Sequence, residues 1–391
     1  MPGGGPDQQD HVRNVRDLYV AGRRVLVRSD LNVPLDAGHV ADDTRIRAAV
    51  PTIELLLDEG ARVVVCSHLG RPKGEPKPEL SLRPVADRLS ELLGREIAFG
   101  DEQGELRMLE NLRFDAREEA NDSGFAAELA ANGDLFVQDA FGAVHRAHAS
   151  TVGIAQQLPS AAGLLLEAEL DAFANLLDSP ARPFVVVIGG VKVADKIGVI
   201  DRLTQLADSI LIGGAMAFTF LVADGLAVGA SRHEDEGGQA IARKAMGDAR
   251  ERGCRLLLPT DVVVADRFAA DAETRVVPVG DIPDGWMGLD IGPATTETYA
   301  SRLAAAETIF WNGPMGVFEL EPFAQGTLAV ARAVAGSNAA SVVGGGDSVS
   351  ALNVAGVAGD ITHVSTGGGA ALELIEGKPL PGVVALQGSP A

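Results

Sequence analysis

The stretch ASVVGGGDS, residues 340–348, runs from a β-branched segment straight into a glycine triplet, and HVSTGGG, residues 363–369, does the same further along. Each apolar run reads as a short strand and each triplet as the opening of a helix. That order aims bare backbone N–H groups and a helix dipole at an anion. Two such loops predict a phosphate site. The arginines able to meet a second phosphate all lie in the other half of the chain, which points to two ligands brought together across a cleft.

Outward from these loops, β-branched runs of four to six residues alternate with helical patterns, the signature of parallel sheets covered on both faces. In the first half the strands are RRVLVR (23–28), RVVVCS (62–67) and DLFVQD (134–139), with helices expected over 44–60 and 82–94. In the second half they are PFVVVIGG (183–190), SILIGG (209–214), CRLLLP (254–259), TIFWNGP (308–314) and ASVVGGG (340–346). The predicted fold class is therefore α/β: two doubly wound parallel-sheet (Rossmann-like) domains joined by an interdomain helix, with a deep cleft between them. The joint falls where QQLPSAAG leads into the amphipathic LLLEAELDAFANLL. The expected boundaries are 1–163, an interdomain helix over 164–177 and 178–377, with the tail 378–391 forming no new βα unit and packing back on the first domain.

Composition agrees with two cores. A chain of 391 residues is too long for one ordinary core, and 46% hydrophobic content with a mean hydropathy of +0.14 describes a well-buried globular protein. A formal net charge of −21 argues against a nucleic acid or an anionic membrane as partner, since both need a basic face. Six of the 33 basic residues are lysines, so Lys192 and Lys196 stand out against an arginine background. Low lysine with high acid leaves a salt-rich interior and a GC-rich genome as equal explanations. Cys66 and Cys254 have neither paired spacing nor a metal pattern, which fits a reducing cytoplasm. The polar, Gly/Pro-rich MPGGGPDQQD reads as a disordered tail, and the longest apolar stretch, 210–223, is too short to span a bilayer.

Open α/β sheets bind ligands beyond the carboxyl ends of their strands. In the first half that position holds Asp30 and Asn32, His68 and Arg71, Arg113, and the run from Asp139 to Arg146, with Arg45 in the first turn of the first helix. Arginine forks with a carboxylate and an amide make a pocket for a small polyanion bearing hydroxyls. Any one arginine alone is more often a plain surface residue; four at strand ends are harder to dismiss. In the second half glycine takes the place of arginine: Gly189 and Gly190, Gly213 and Gly214, Asn312 and Gly313, Gly344 to Ser348, and Ser365 to Gly369. Small residues let a flat ring and a phosphate chain approach backbone. Asp347 is a candidate Mg²⁺ ligand, an N-cap, or both. Lys192 and Lys196 are expected on one face of a helix entered through Gly189-Gly190, in contact with phosphate. No P-loop, dinucleotide fingerprint or protein-kinase catalytic triplet is present.

The segments RSDLNVPL (28–35), DDTRIRAA (42–49), SHLGRPKG (67–74), LENLRF (109–114), QDAFGAVHRAHAS (138–150), IGGVKVADKI (188–197), IGGAMAFTFL (212–221), WNGPMGVFE (311–319), GGGDS (344–348) and STGGGA (365–370) resemble those of the phosphoglycerate kinase family, in that family's order and over nearly the whole chain. The resemblance implies a phosphotransferase with a carboxyl acceptor, moving the acyl phosphate of 1,3-bisphosphoglycerate reversibly to Mg-ADP in glycolysis and gluconeogenesis, in a cytoplasmic monomer. It assigns Asp30, Asn32, Arg45, His68, Arg71, Arg113 and Arg146 to the phosphoglycerate site in the first domain. Lys192, Lys196, Asn312, Glu319, Gly345, Gly346, Asp347 and Ser348 fall to the nucleotide and metal side, with Gly189 and Gly190 near the adenosine and Asp347 holding Mg²⁺. Gly367, Gly368 and Gly369 would donate to the moving phosphoryl group, and Arg45 with Lys192 would stabilise its charge. Three departures stand beside the match: Ala215 after Gly213-Gly214, a shortened stretch over 100–108 that leaves the first domain's edge open, and Ala168 where many relatives have lysine. A different carboxylate kinase and a non-catalytic anion-binding protein are the rival readings.

Overall fold

The structure is a computed structural model that describes residues 12–100 and 102–390. The N-terminal tail lies outside the described residues. The chain divides into two compact units, Met1–Asp171 with Lys378–Ala391, and Ala172–Gly377. It therefore passes between units twice, once inside a helix and once after Gly377.

In the first unit, β1 (Arg24–Arg28) is followed by a small antiparallel ribbon, β2 (Leu35–Asp36) and β3 (His39–Val40), then by α1 (Thr44–Asp58), β4 (Arg62–Cys66) and α2 (Arg83–Leu93). The edge strands β5 (Ala98–Phe99) and β6 (Leu106–Met108) come next, then α3 (Ala116–Glu119), α4 (Ser123–Ala130), β7 (Leu135–Gln138) and β8 (Ser160–Ala162). Among the described residues the strands form one six-stranded, wholly parallel sheet in the order β5-β6-β4-β1-β7-β8. The three strands read from sequence are its centre, because a parallel strand buried on both faces must be almost continuously apolar. The three missed are its flanks; at two or three residues each they are too short to leave a pattern. The shortened stretch over 100–108 thus contains β6, paired to β4.

Helix α5 (Leu164–Asp178) leads into the second unit: β9 (Phe184–Ile188), α6 (Ile197–Thr204), β10 (Ser209–Ile212), α7 (Met216–Ala223), α8 (Glu236–Glu251), β11 (Arg255–Leu257), β12 (Asp261–Ala265), β13 (Thr274–Pro278), β14 (Met287–Ile291), α9 (Pro293–Ala304), β15 (Thr308–Asn312), α10 (Gln325–Ala335), β16 (Ala340–Gly344), α11 (Gly346–Ala355), β17 (His363–Val364) and α12 (Gly368–Ile375). A second parallel sheet runs β11-β10-β9-β15-β16-β17. The separate antiparallel sheet β13-β12-β14 was not foreseen. It has a core of its own, in which Phe218 and Leu221 of α7 pack with Val262, Val264 and Ile282. Its outer strand β13 is largely exposed, so its sequence lacks the apolar continuity of the others. The tail forms α13 (Pro381–Gln387), and the Gly382 N–H donates to Val144 O at 2.8 Å within the first unit. No helix among the described residues is long and apolar enough to cross a membrane.

Two buried carboxyl groups brace this framework. Asp139, just after β7, accepts from the Leu165 and Leu166 N–H groups through Oδ1 at 2.9 and 3.2 Å, fastening the start of α5. Asp290 of β14 accepts from the N–H groups of Gly326 at 2.7 Å and Ile291 at 2.9 Å. Burial pushes each up to about 7, against the opposing pull of those hydrogen bonds. An unfolded aspartate titrates near ~3.9, so between roughly pH 4 and pH 7 the folded chain holds protons that the unfolded chain has released. The contribution of these two carboxyl groups to stability is accordingly greatest at the acid end of this window and falls as pH rises through it. Asp139→Asn keeps an acceptor for both N–H groups while removing the ionisation. Its urea midpoint, measured against the parent's from pH 4.5 to 7.5, is expected to fall less steeply; parallel curves would refute the burial argument.

Candidate active site

The first unit places its polar residues beyond the carboxyl ends of β1, β4, β6 and β7. Arg45 Nη1 donates to Asp30 Oδ1 and Oδ2 at 3.2 and 3.1 Å and to Asn32 O at 3.2 Å. The Asn32 side-chain oxygen accepts from the Gly70 N–H at 2.9 Å, tying the loop after β1 to the loop after β4. Arg113 Nη1 donates to Gly70 O at 2.9 Å. Asn111 uses its whole amide: Nδ2 donates to Leu69 O and Leu80 O, and Oδ1 accepts from Leu69 N and Arg113 N. It locks the loop carrying His68 and Arg71 against the turn carrying Arg113. Of the sequence-predicted set, Asp30, His68 and Arg113 are buried, whereas Arg71 and Arg146 are exposed. Arg45, with 35% of its side chain exposed, sits between these extremes.

Burial holds His68 well below its usual value, and the charges of Arg28, Arg113 and Arg45 push the same way. His148 is lowered to about 4, by burial first and then by Arg113, Arg28 and Arg146. Both rings are neutral at pH 7. Arg113 is lowered chiefly by burial, with Glu119 opposing. This is a concentration of cations and neutral imidazoles in a chain of net charge −21, answered locally by the carboxyl groups of Asp30, Glu118 and Glu119. Sequence reasoning missed Arg28, Glu118, His148 and Ser150. Arg28 did leave a signal: a charged side chain ending an apolar buried strand.

The second unit builds a different bed. Lys196 Nζ donates to Gly189 O at 2.7 Å, Asn312 Oδ1 at 2.6 Å and Asn312 O at 3.2 Å. Asn312 Nδ2 donates in turn to Gly344 O at 2.8 Å, and Ser348 Oγ accepts from the Gly313 N–H at 2.7 Å. Lys192, Lys196, Asn312, Gly345, Gly346, Asp347 and Ser348 line one cavity of about 320 Å³ with Gly190. Gly345 has φ 92°, and a Cβ there would stand 2.8 Å from Asn312 Nδ2, so the first loop requires glycine on both counts. A Cβ on Gly368 would lie 3.9 Å from Gly345 Cα, so the two glycine loops adjoin. Beside them opens a more apolar cavity of about 510 Å³, lined by Ala215, Phe218, Leu289, Pro314 and Val317. Gly190, Val191, Pro314 and Asp347 border both cavities. Glu319 belongs to the apolar one.

Two expectations need correction. Lys192 and Lys196 do not share a helical face, because α6 begins only at Ile197. Lys196 instead closes a turn, its N–H donating to Val193 O at 3.0 Å. The Val193 N–H is taken by Glu234 Oε2 at 2.6 Å, which holds the segment out of helical pairing. Nor is Asp347 an N-cap: Gly345 caps α11, Asp347 lies exposed in the first turn, and no side-chain cap bond forms. That frees Asp347 for a cation. Among the described residues no group of three or more His, Cys, Asp or Glu is placed to hold a metal. A single carboxylate beside a phosphate bed nevertheless suits Mg²⁺, which keeps several waters and takes its remaining ligands from substrate phosphates.

The geometry is thus an anion bed of arginines in one unit and a glycine bed with an adjoining apolar slot in the other. Comparison with known proteins gives the same chemistry a name. The model of the phosphoglycerate kinase family matches residues 15–378. A phosphoglycerate kinase of Rubrobacter xylanophilus is 58% identical over 387 residues, covering 96% of this chain and 98% of the relative. One of Chloroflexus aurantiacus is 56% identical over 395 residues, with the same coverage of 96% and 98%. The solved phosphoglycerate kinase of Coxiella burnetii matches with a TM-score of 0.88 at 40% identity, over 96% of this chain and 99% of that one. That of Pyrococcus horikoshii OT3 gives 0.81 at 33% identity, over 96% and 98%. Sequence and fold agree, and the chain belongs to the phosphoglycerate kinase family.

Proposed function

We propose that the two beds divide the reaction between them: the first unit holds phosphoglycerate through Asp30, Asn32, Arg45, His68, Arg71, Arg113 and Arg146, and the second holds the nucleotide. The reaction itself, reversible phosphoryl transfer between 1,3-bisphosphoglycerate and ADP, follows from the family. The observation that carries the division is chemical: guanidinium groups gather on one unit, and glycine backbone beside an apolar slot on the other. In the nucleotide bed Gly189 and Gly190 approach the adenosine, Glu319 borders its slot, and Lys192, Lys196, Asn312, Gly345, Gly346 and Ser348 surround the phosphates. Asp347 holds Mg²⁺, which when bound neutralises phosphate charge. Phosphoryl transfer asks the protein mainly for positioning and charge stabilisation. Arg45 and Lys192 supply the charge, and the N–H groups of Gly367, Gly368 and Gly369 receive the transferring group's oxygens. The two ligand sets must reach one phosphoryl group and exclude water from it during transfer. The free, buried thiols of Cys66 and Cys254 and the strong negative charge support a cytoplasmic monomer. A coupled assay with 3-phosphoglycerate and Mg-ATP tests the whole reading. Nucleotide consumption that depends on 3-phosphoglycerate supports it, and consumption with another carboxylate in its place favours the rival kinase.

Three further outcomes are specific. Arg45→Ala is expected to lower kcat on the order of 10²–10³-fold, the effect of losing a donor aimed at transition-state charge, with KM for Mg-ATP nearly unchanged. Wild-type kcat would sink the assignment. Asp347→Asn is expected to weaken Mg-ADP binding in calorimetry while leaving the melting temperature within a degree or so, because no cap bond is lost. A fall in stability with unchanged Mg-ADP affinity would reverse that reading. Burial lowers Lys196 to about 8, with Asp347 and Asp195 opposing. The charged form is therefore present below that value and lost above it, so KM for Mg-ATP should rise from pH 7.5 to 9.5. Lys196→Arg, which stays charged throughout, should flatten the profile even where its KM is higher. An identical pH slope in the variant would show that Lys196 does not set it.

A further inference from the structure

Arg28 ends β1 with 1% of its surface exposed, so it cannot itself take part in a solvent-borne ligand's coordination. All three of its guanidinium nitrogens are engaged. Nη1 donates to Ser29 O at 2.5 Å, Nε to Ser150 Oγ at 2.8 Å, and Nη2 stands 3.0 Å from His68 Nδ1. Ser150 passes its own hydrogen onward to Glu118 Oε1 at 2.5 Å, and its N–H donates to Glu118 Oε2 at 3.0 Å. Glu118 and Ser150 are both fully buried. An arginine so deeply buried needs a partner of opposite charge, and the Glu118 carboxyl supplies it at one remove, across a hydroxyl that can accept and donate in only one sense.

The guanidinium fixes the far end of the chain. Arginine has no acceptor, so the contact at His68 Nδ1 is a hydrogen bond only if Nδ1 is bare. A bare Nδ1 on a neutral ring leaves the hydrogen on Nε2. We propose that Glu118 and Ser150 are positioning residues for the acid-substrate bed: acting through Arg28, they hold His68 in the one tautomer whose Nε2–H donates to the bound oxyanion. This rests on the reading of His68 as a phosphoglycerate ligand. The other charged and titratable groups acting on the ring are Arg45 of α1, Arg113 of the turn 112–114 and His148. The arginines supply positive charge, and His148 is neutral in this range. Burial and the arginines oppose protonation of His68, so the neutral form persists across the pH range of the test.

The test reads tautomer and kinetics separately. Long-range ¹H–¹⁵N spectra of the free protein, with His68→Ala identifying the signals, should show His68 with a bare Nδ1 and a protonated Nε2 at pH 7. In Ser150→Ala, checked for folding by its melting temperature, the ring should become a mixture of tautomers. Its KM for 3-phosphoglycerate should rise roughly tenfold, the scale of one charge-assisted hydrogen bond, with KM for Mg-ATP unchanged. Glu118→Gln should move both readouts the same way. A protonated Nδ1 in the parent, together with a raised KM for 3-phosphoglycerate in His68→Ala, overturns the relay alone. A bare Nδ1 with unaltered KM in His68→Ala overturns the ligand reading and, with it, the role proposed for Glu118 and Ser150. A folded Ser150→Ala with parental spectrum and KM also overturns it.

Discussion

A parallel sheet covered on both faces leaves polar chemistry one place to go, the carboxyl ends of its strands, and everything functional in this chain follows from that constraint. β1, β4, β9 and β15 are buried along almost their whole length. Their side chains are committed to packing until the strand ends. The residues that follow are held by rigid backbone yet free of the core, which is the condition a pre-organised site needs.

The two sheets meet this condition with opposite materials. In the first unit, side chains do the work, and much of the structure is spent holding them. Asn111 saturates its amide to fix two loops, and Asp30 and Asn32 O share the Arg45 guanidinium. Burial and mutual repulsion keep the imidazoles neutral among the cations. In the second unit the backbone does the work: carbonyl oxygens of Gly189, Asn312 and Gly344 take the side-chain donors. Negative charge elsewhere on the chain does not disturb either bed, because screening in salt confines it to about 8–10 Å.

The central strands, the helices between them and the glycine loops were legible because their signals are local: apolar continuity, 3.6-residue periodicity, and Gly-Gly-Gly at a strand end. The flanking strands were not, since two or three residues carry no period. The antiparallel sheet stayed hidden because its core is shared with α7 and its outer strand faces water. Within the sites, sequence picked out residues that follow strands but not those that reach in from behind. Glu118 comes from a four-residue helix and Ser150 from a short helical turn over Ala149–Gly153, neither adjoining β1 in sequence. The spacing of Lys192 and Lys196 read as helical because four residues is one turn. Only the long-range bond from Val193 to Glu234 shows why no helix spans both lysines.

The close approach of Gly345 to Asn312 has an evolutionary meaning. Where backbone meets side chain at such range, single substitutions cannot reshape the surface, since every added atom collides. The apolar slot next door is different: Ala215, Phe218, Leu289 and Val317 are ordinary side chains that can be exchanged one at a time. Inheritance can therefore reshape this slot by small steps. The glycine loop is out of reach of such steps, and a lineage that needed a different one would have to build it anew.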